Sequence, residues 1–560
     1  MAAPADIFRQ GLALHQRGRL AEAQALYRQV LARDPRHFDS LHLLGLCLVQ
    51  GGETGRGAEQ IRRALAIRSD FAEAHYNLGN ALLTLGQPAE ALASFETALK
   101  LKPDDAQYRL EAGNALKELK RSDEAIAQYD HAIRLDPRSA EAFNNRGIAL
   151  KDAGRPAEAV DSLNAAIALR PGYAEAHSNR GNALKELGRP DEALACHETA
   201  ISLRPDHAEA HYNRANLLGE MKRLDAALAS YDTALRLRPD YAEARHNKSL
   251  LLLAAGRLEE GFALYGSRWN SPSFTGSRLA TTLPAWDGRP GAGRLLLWPE
   301  QGIGDEIFHA SLLSLLPSEG LAVTVAADRR LGPVYRRSFP QLAIIDSDDL
   351  QQPLAGRFDV QAAMGDLGAL LGVEPARLAV RRMPYLIADA ARRETLRAAH
   401  PFLREGPVCG LSWKSANKKF GAEKSLRLID LAPLLATPGV SFVNLQYGDV
   451  ADEIEEVRRA LGVTVHQAQG LDVYNDIDGL LALVDCCGAV LTTSNVTAHL
   501  AGALARPGVV VVPTGKGSLW YWQGGVNDLW YPSLRRIAQE RAGQWQAAIA
   551  AAVASTRELL

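Results

Sequence analysis

AEAHYNLGNALLTLGQPAEALASFETALKLKP, residues 72–103, decides the fold of the first half of the chain. It reads as two helices that cross at a small residue and stop at a proline. Moving outward in steps of 34 residues, the same features return. Prolines stand at 35, 103, 137, 171, 205 and 239, with Ser69 at the one empty grid point. Gly11, Gly45, Gly79, Gly113, Gly147 and Gly181 form a second grid, continued by Ala215 and Ser249. A third holds Ala23, Gly57, Ala91, Ala125, Ala159, Ala193, Ala227 and Gly261. Small residues at a helix crossing let the backbones approach, and a proline ends the second helix of each pair. One such pair cannot bury its apolar face alone, so neighbours must stack into a continuous array.

These grids match the tetratricopeptide pattern in residue kind and spacing. Seven repeats span roughly 4 to 241, an eighth and looser pair reaches Trp269, and SRWNSPSF (267–274) reads as the end of the array. Such arrays present a concave groove suited to an extended or helical segment of a protein partner. Two residues before the grid glycine stand Asn77, Asn145, Asn179, Asn213 and Asn247, with Glu111 breaking the series, and Asn80, Asn114, Asn182 and Asn216 follow one residue after it. Asparagine amides both donate and accept, so this ladder suits a peptide backbone. The alternative is that the amides bond between neighbouring repeats. The ladder resembles that of the animal enzyme that places N-acetylglucosamine on protein hydroxyls, which implies that the five asparagines at 77, 145, 179, 213 and 247 contact a protein acceptor.

Composition narrows the remaining classes. The chain has 560 residues, too many for one core, and a formal charge of -2, which offers no excess for nucleic acid. MAAPADIFRQ lacks a secretion-signal pattern, no apolar run reaches the roughly 20 residues of a membrane span, and the five cysteines lack disulfide or metal spacing. A cytoplasmic location is the expectation. From about residue 292 short apolar runs alternate with helical patterns: RLLLW (294–298), LAVTVAAD (321–328) and LAIIDSDD (342–349), then a second series, VCGLSW, SFVNLQ, GAVLTTS and GVVVVP. Alternation of this kind reads as parallel α/β structure, and two series in tandem as the two-lobed GT-B plan. The expected organisation is a multidomain chain: an all-α superhelix over 1–270, a linker over 271–291, a first Rossmann-like lobe over 292–400 and a second over 401–560.

Three segments of this half, EQGIGDEIFHASLL (300–313), SNVTAHLAGALARP (494–507) and WYWQGGVNDLWYPSLRRI (520–537), resemble a domain related to the heptosyltransferases of lipopolysaccharide synthesis. GLSWKSANKKFGAEKSLRL (410–428) is similar to a narrower group, bacterial flagellin glycosyltransferases. That resemblance implies a nucleotide-sugar donor, CMP-linked for a nonulosonic sugar such as pseudaminic acid, no other cofactor, and flagellin as the acceptor in the groove.

Several residues carry the chemistry. Gly302 and Gly304 in QGIGD let a ligand approach backbone at a helix start, although the loop is not a full dinucleotide or P-loop motif. Asp305 matches a candidate base or sugar contact of the relatives; as a base it would take the proton of an attacking serine or threonine hydroxyl. Its alternative is a helix-start acid favoured by the dipole. Ser494, Asn495, Thr497 and His499 open a helix that in the relatives binds donor phosphate, but the relatives usually carry aspartate at the position of Ser494; the alternative is an ordinary capped helix. Lys414, Lys418, Lys419 and Lys424 crowd one loop, and Lys414 and Lys424 are the preferred pair to neutralise a leaving phosphate; the alternative is a solvated basic loop. Gln446 is a candidate contact for the donor base or ribose. Trp520, Tyr521 and Trp522 either stack on a sugar or pack between lobes. Asp476 and Asp478 read as a helix cap rather than a metal-binding DxD, and no metal is expected.

Two readings stand side by side. In one, the chain is a metal-independent protein O-glycosyltransferase that recruits its acceptor through the repeats. In the other, it is a non-catalytic adaptor whose transferase lobes have degenerated, as the serine at 494 would allow.

Overall fold

The computed structural model describes residues 3–317, 319–415, 420–515, 517–522 and 529–560. The chain forms two compact units, Met1–Arg238 and Pro239–Leu560.

The first unit is an all-α tetratricopeptide superhelix. Its helices come in pairs such as Ala72–Thr84 with Pro88–Leu101, and Ala106–Glu118 with Ser122–Leu135. Pro88 occupies the first turn of its helix, where its fixed φ helps and its missing N–H costs nothing. The glycine grid has a specific cause: a Cβ on Gly79 would lie 2.5 Å from Phe95 Cε1, and one on Gly113 2.5 Å from Tyr129 Cε1. Each of these glycines is therefore the socket for the large side chain sixteen residues later, and that side chain is fully buried. A further row of bonds steadies the turn between successive repeats. His75 Nε2, Arg109 and His177 Nε2 bond back to the carbonyls of Ser69, Pro103 and Pro171 at 2.9, 3.2 and 3.0 Å.

In the second unit the last helical pair, Ala242–Ala254 and Leu258–Tyr265, packs with the α/β region. SRWNSPSF does more than end an array. Arg268 is 0% exposed and grips Glu300 with two bonds, Nε to Oε1 at 2.9 Å and NH2 to Oε2 at 2.5 Å, while NH1 reaches Asp366 at 2.6 Å. Phe262 fills the space beside Gly368, where a Cβ would lie 2.2 Å from its ring.

Two parallel sheets follow. The first contains β1 (Gly293–Trp298), β2 (Leu321–Ala327), β3 (Ala343–Asp346) and β4 (Val360–Ala363) in the order β3-β2-β1-β4. The second contains β5 (Val408–Ser412), β6 (Ser441–Asn444), β7 (Val465–His466), β8 (Ala489–Thr493), β9 (Gly508–Val512) and β10 (Leu534–Ala538) in the order β10-β9-β8-β5-β6-β7. β5, β8 and β9 are buried along their whole length, as helix-covered parallel strands must be. β4, β7 and β10 do not stand out in the sequence. β7 has only two residues, and β10, LRRIA, carries two arginines at the sheet edge. In the chain between β4 and β5 stands a ten-residue helix, Ala390–Ala399.

Candidate functional site

Strand order reverses at two places, beside β1 in the first sheet and beside β5 in the second. Crevices at the carboxyl ends of strands open at such switch points. Beyond β1 comes PEQGIGDE, which leads into the Asp305 helix, Ile303–Ala310. Beyond β8 comes the His499 helix, Val496–Ala503. The two helices pack directly against each other across the lobes. Gly304 makes this possible, because a Cβ there would sit 3.2 Å from Cδ2 of His499.

Four residues nominated by the sequence meet here. The phenol of Tyr521 donates to Asp305 Oδ1 at 3.1 Å. Burial pushes the Asp305 carboxyl above its ordinary range, opposed by the Tyr521 bond and by the charge of Lys424. Lys424 is 4% exposed and, among the described residues, meets no hydrogen-bond or ion-pair partner; burial pushes its ammonium pKa down and Asp305 opposes this. His499 is buried, and its pKa is lowered to about 3 by burial first and by Lys424 and His309 second. At the start of the same helix the hydroxyls of Ser494 and Thr497 are buried without a partner among the described residues. A buried cation and two buried hydroxyls without partners among the described residues are each costly to fold.

Gln446, Asn495 and Lys414 are joined differently. Asn495 caps the His499 helix: its Oδ1 accepts from Ala498 N at 3.4 Å and from Thr492 Oγ1 at 3.0 Å. Its Nδ2 donates across the switch point to Ser412 Oγ at 2.8 Å and to Lys414 O at 3.0 Å. Gln446 Oε1 accepts from Ser412 Oγ at 3.0 Å and from Lys414 N at 2.7 Å, while its Nε2 donates to Tyr447 O at 3.0 Å. The Lys414 ammonium pairs with Glu453, whose carboxylate also accepts from Trp413 Nε1 at 2.9 Å. These side chains hold the carboxyl end of β5 against that of β8. Of the preferred lysine pair, only Lys424 keeps a charge unpaired among the described residues. Lys418 and Lys419 lie outside the described residues.

Gln446 also lines a cavity of about 570 Å³ beyond β6 and β7, together with Asn444, Gln467, Asp472 and two tyrosines, Tyr447 and Tyr474, whose ring centroids are 5.9 Å apart. Arg330, from the first lobe, lies 5.4 Å from the centre of the Tyr474 ring and donates to Tyr474 O at 3.3 Å. Bonds from the Asn475 side chain and from the N–H groups of Asn475 and Tyr474 hold the Asp472 carboxylate below its ordinary range.

Trp520, Tyr521 and Trp522 are all buried in an aromatic cluster. Tyr521 stacks on Phe308 at 4.4 Å and Trp520 stands edge-on to Phe262 at 5.8 Å. Packing therefore accounts for the tryptophans, and Tyr521 is distinguished by its bond to Asp305. Asp476 caps the Ile477–Asp485 helix, accepting from Gly479 N at 2.8 Å, and its carboxylate pairs with Arg392. Glu453 and Tyr385 were not visible as site residues, because each belongs to a segment without a motif and acquires its place only through long-range packing. WYWQGGVNDLWY contains Tyr531 but offers no way to separate it from its aromatic neighbours.

In the repeats, the ladder amides bond from one repeat to the previous one. Asn77 Nδ2 meets His42 Nε2 at 3.0 Å, Asn145 Nδ2 donates to Asn114 Oδ1 at 3.0 Å, Asn179 Nδ2 to Asn144 Oδ1 at 2.9 Å, and Asn213 Nδ2 to Ser178 Oγ at 3.2 Å. The inter-repeat bond is thus one use of these amides. Asn247 lies on the Ala242–Ala254 helix of the second unit.

Tetratricopeptide repeat families match residues 8–72, 49–106, 76–140 and 110–174, and 174–207 and 208–241. Protein FlbA of Caulobacter vibrioides is 34% identical over 302 residues, covering 50% of this chain and 49% of that protein. The chain thus spans about half the length of the curated relative it matches. Among solved structures, a thermophilic tetratricopeptide protein of Thermus thermophilus is 28% identical with a TM-score of 0.30, covering 33% of this chain and 100% of that one. YrrB, described as having an unusual peptide-binding site, is 24% identical with a TM-score of 0.29, covering 33% and 95%. No helix among the described residues is long and apolar enough to cross a membrane.

Proposed function

We propose that this chain is a protein O-glycosyltransferase: the repeats hold a protein acceptor, and the two α/β lobes transfer a sugar from a nucleotide-sugar donor to a serine or threonine hydroxyl. The observation that carries the reading is the buried Lys424, unpaired among the described residues, beside Asp305, with the unused hydroxyls of Ser494 and Thr497 at the start of the facing helix. A cation and hydroxyl donors in a dry crevice suit a departing phosphate, because they stabilise negative charge as it develops. Asp305, its carboxyl raised by burial, suits removal of the hydroxyl proton as that oxygen attacks the anomeric carbon. The cavity edged by Tyr447, Tyr474 and Gln446 is of a size and chemistry to take a nucleobase. Holding the acceptor on the same chain raises the effective concentration of its hydroxyls at the lobes. Resemblance makes flagellin the acceptor to test first and a CMP-linked nonulosonic acid the first donor.

Thermal shift with CMP-, UDP-, GDP- and ADP-linked sugars tests donor binding, and a stabilisation by one of the four is expected. Asp305→Asn should then abolish the sugar's mass increment on flagellin in cells while leaving that thermal shift in place. Unchanged glycosylation would remove Asp305 from catalysis. A chain that no donor stabilises is the adaptor of the second reading, which the Lys414–Glu453 pairing and the serine at 494 favour.

A further inference from the structure

A buried chain of polar groups joins the Asp305 helix to His499. Tyr385 OH donates to Ile307 O at 2.9 Å, Tyr385 OH and Tyr531 OH are 3.3 Å apart, and Tyr531 OH is 2.9 Å from Nδ1 of His499. The three side chains are 0%, 1% and 3% exposed. A carbonyl only accepts, so the single hydrogen of Tyr385 is committed to Ile307. The Tyr385 oxygen can then only accept, so the hydrogen of Tyr531 goes to Tyr385. With its hydrogen on Tyr385, Tyr531 meets Nδ1 of His499 as an acceptor, and all three contacts are satisfied together only if Nδ1 donates. The ring is neutral, its pKa lowered to about 3 by burial, Lys424 and His309, so it carries one hydrogen and Nε2 carries none. The Cδ2–Nε2 edge lies against the QGIGD turn: a Cβ on Gly304 would be 3.2 Å from Cδ2 and 3.5 Å from Nε2.

We infer that the Ile307–Tyr385–Tyr531 chain fixes His499 as its Nδ1–H tautomer, making Nε2 an obligate hydrogen-bond acceptor beside the QGIGD turn that selects a ligand hydroxyl and turns away phosphate oxygens. The ligand half of this rests on the glycosyltransferase reading; the tautomer half stands on the hydrogen bonds and on the burial that keeps the ring neutral. A phosphate oxygen at neutral pH brings only lone pairs and is repelled by the bare Nε2, whereas a sugar or serine O–H donates to it. The donor's phosphate then falls to the groups that can donate, Lys424 and the hydroxyls of Ser494 and Thr497. His499 acts as a specificity residue, and Tyr385 and Tyr531 as positioning residues behind it.

Long-range proton–nitrogen NMR of the full chain labelled with ¹⁵N-histidine, with His499 assigned by the signal lost in His499→Phe, reads the tautomer directly. At pH 7 Nδ1 should resonate as a protonated, pyrrole-type nitrogen and Nε2 as a pyridine-type one; the reverse overturns the inference. Tyr385→Phe frees the hydrogen of Tyr531 to point at Nδ1, so a population with Nε2–H should appear. A spectrum unchanged by that variant shows that the chain does not set the tautomer. Calorimetry on His499→Phe with the nucleotide sugars and with free CMP, UDP, GDP and ADP tests selectivity. The nucleotide sugar that binds the wild-type chain should bind about tenfold more weakly, the worth of one hydrogen bond, and its free nucleotide equally well. Equal losses for both would make His499 a phosphate contact and overturn the selectivity. If the wild-type chain binds none of the sugars, the transferase reading fails, and the tautomer is decided by the nitrogen shifts alone.

Discussion

Glu306 stands next to Asp305 in sequence but turns the other way, its two oxygens accepting from Asp328 N at 3.2 and 3.3 Å. It is 3% exposed, and burial pushes its carboxyl up to about 8, with the Asp328 N–H bond and Arg330 pulling in the opposite direction. A folded pKa above the ordinary value of 4.5 means that the folded chain binds the proton more tightly. Stability from this group is complete below pH 4.5 and is lost as pH rises through about 8. Glu306→Gln should therefore raise the melting temperature of the second unit at pH 7.5 and leave it unchanged at pH 4; an equal shift at both values would sink the assignment. Lys424 carries a related cost. Lys424→Met removes a buried cation left unpaired among the described residues and should stabilise the chain by about 1–3 kcal/mol, while the thermal response to the nucleotide sugar disappears. Loss of stability together with retained donor response would show that Lys424 is structural.

The repeat pair is the element that sets the first unit, and its tolerance is narrow at the socket. Gly113→Val places side-chain atoms where the Tyr129 ring already lies, with the Cβ alone at 2.5 Å from Cε1. Overpacking of this kind costs about 1–3 kcal/mol. Because repeats contact mainly their neighbours, the loss should be local. Hydrogen exchange is expected to accelerate over the helices Ala106–Glu118 and Ser122–Leu135 and to stay unchanged in β5 and β8 of the second unit. The same reasoning at the level of elements applies across the lobes, where Gly304→Val would force the Asp305 and His499 helices apart and should abolish donor binding before it unfolds the chain.

At the scale of the molecule, the eighth helical pair carries the repeat period but takes its place in the second unit. Arg268 holds it there through Glu300 and Asp366, and Glu300 immediately precedes QGIGD. Arg268→Met leaves a buried carboxylate without its partner, a change worth about 3–5 kcal/mol. The melting of the second unit should fall accordingly, and the double variant Arg268→Met with Glu300→Gln should recover part of the loss. Failure of the second substitution to recover any stability would mean that Arg268 acts through its aromatic neighbours Tyr265 and Trp269, whose rings lie 4.5 Å from its guanidinium.

The repeat array is legible without any structure, because a 34-residue period constrains each turn locally and every repeat states the rule again. Two α/β series are legible as well, since fully buried parallel strands read as short apolar runs; Asp305, Ser494, Thr497 and His499 are nominated by the resemblance to the heptosyltransferase-related domain, and Lys424 by the cationic loop beyond β5. Tertiary structure alone decided which of these meet and in what state. Lys414 and Lys424 are indistinguishable in their loop; Glu453, from a distant helix, neutralises one, and among the described residues nothing pairs with the other. Tyr521, Tyr531 and Tyr385 look alike in sequence, yet one bonds Asp305 and two order the hydrogens of His499. Spacing along a chain encodes periodic burial, whereas the charge and proton position of a site group depend on partners that only folding brings within hydrogen-bonding reach.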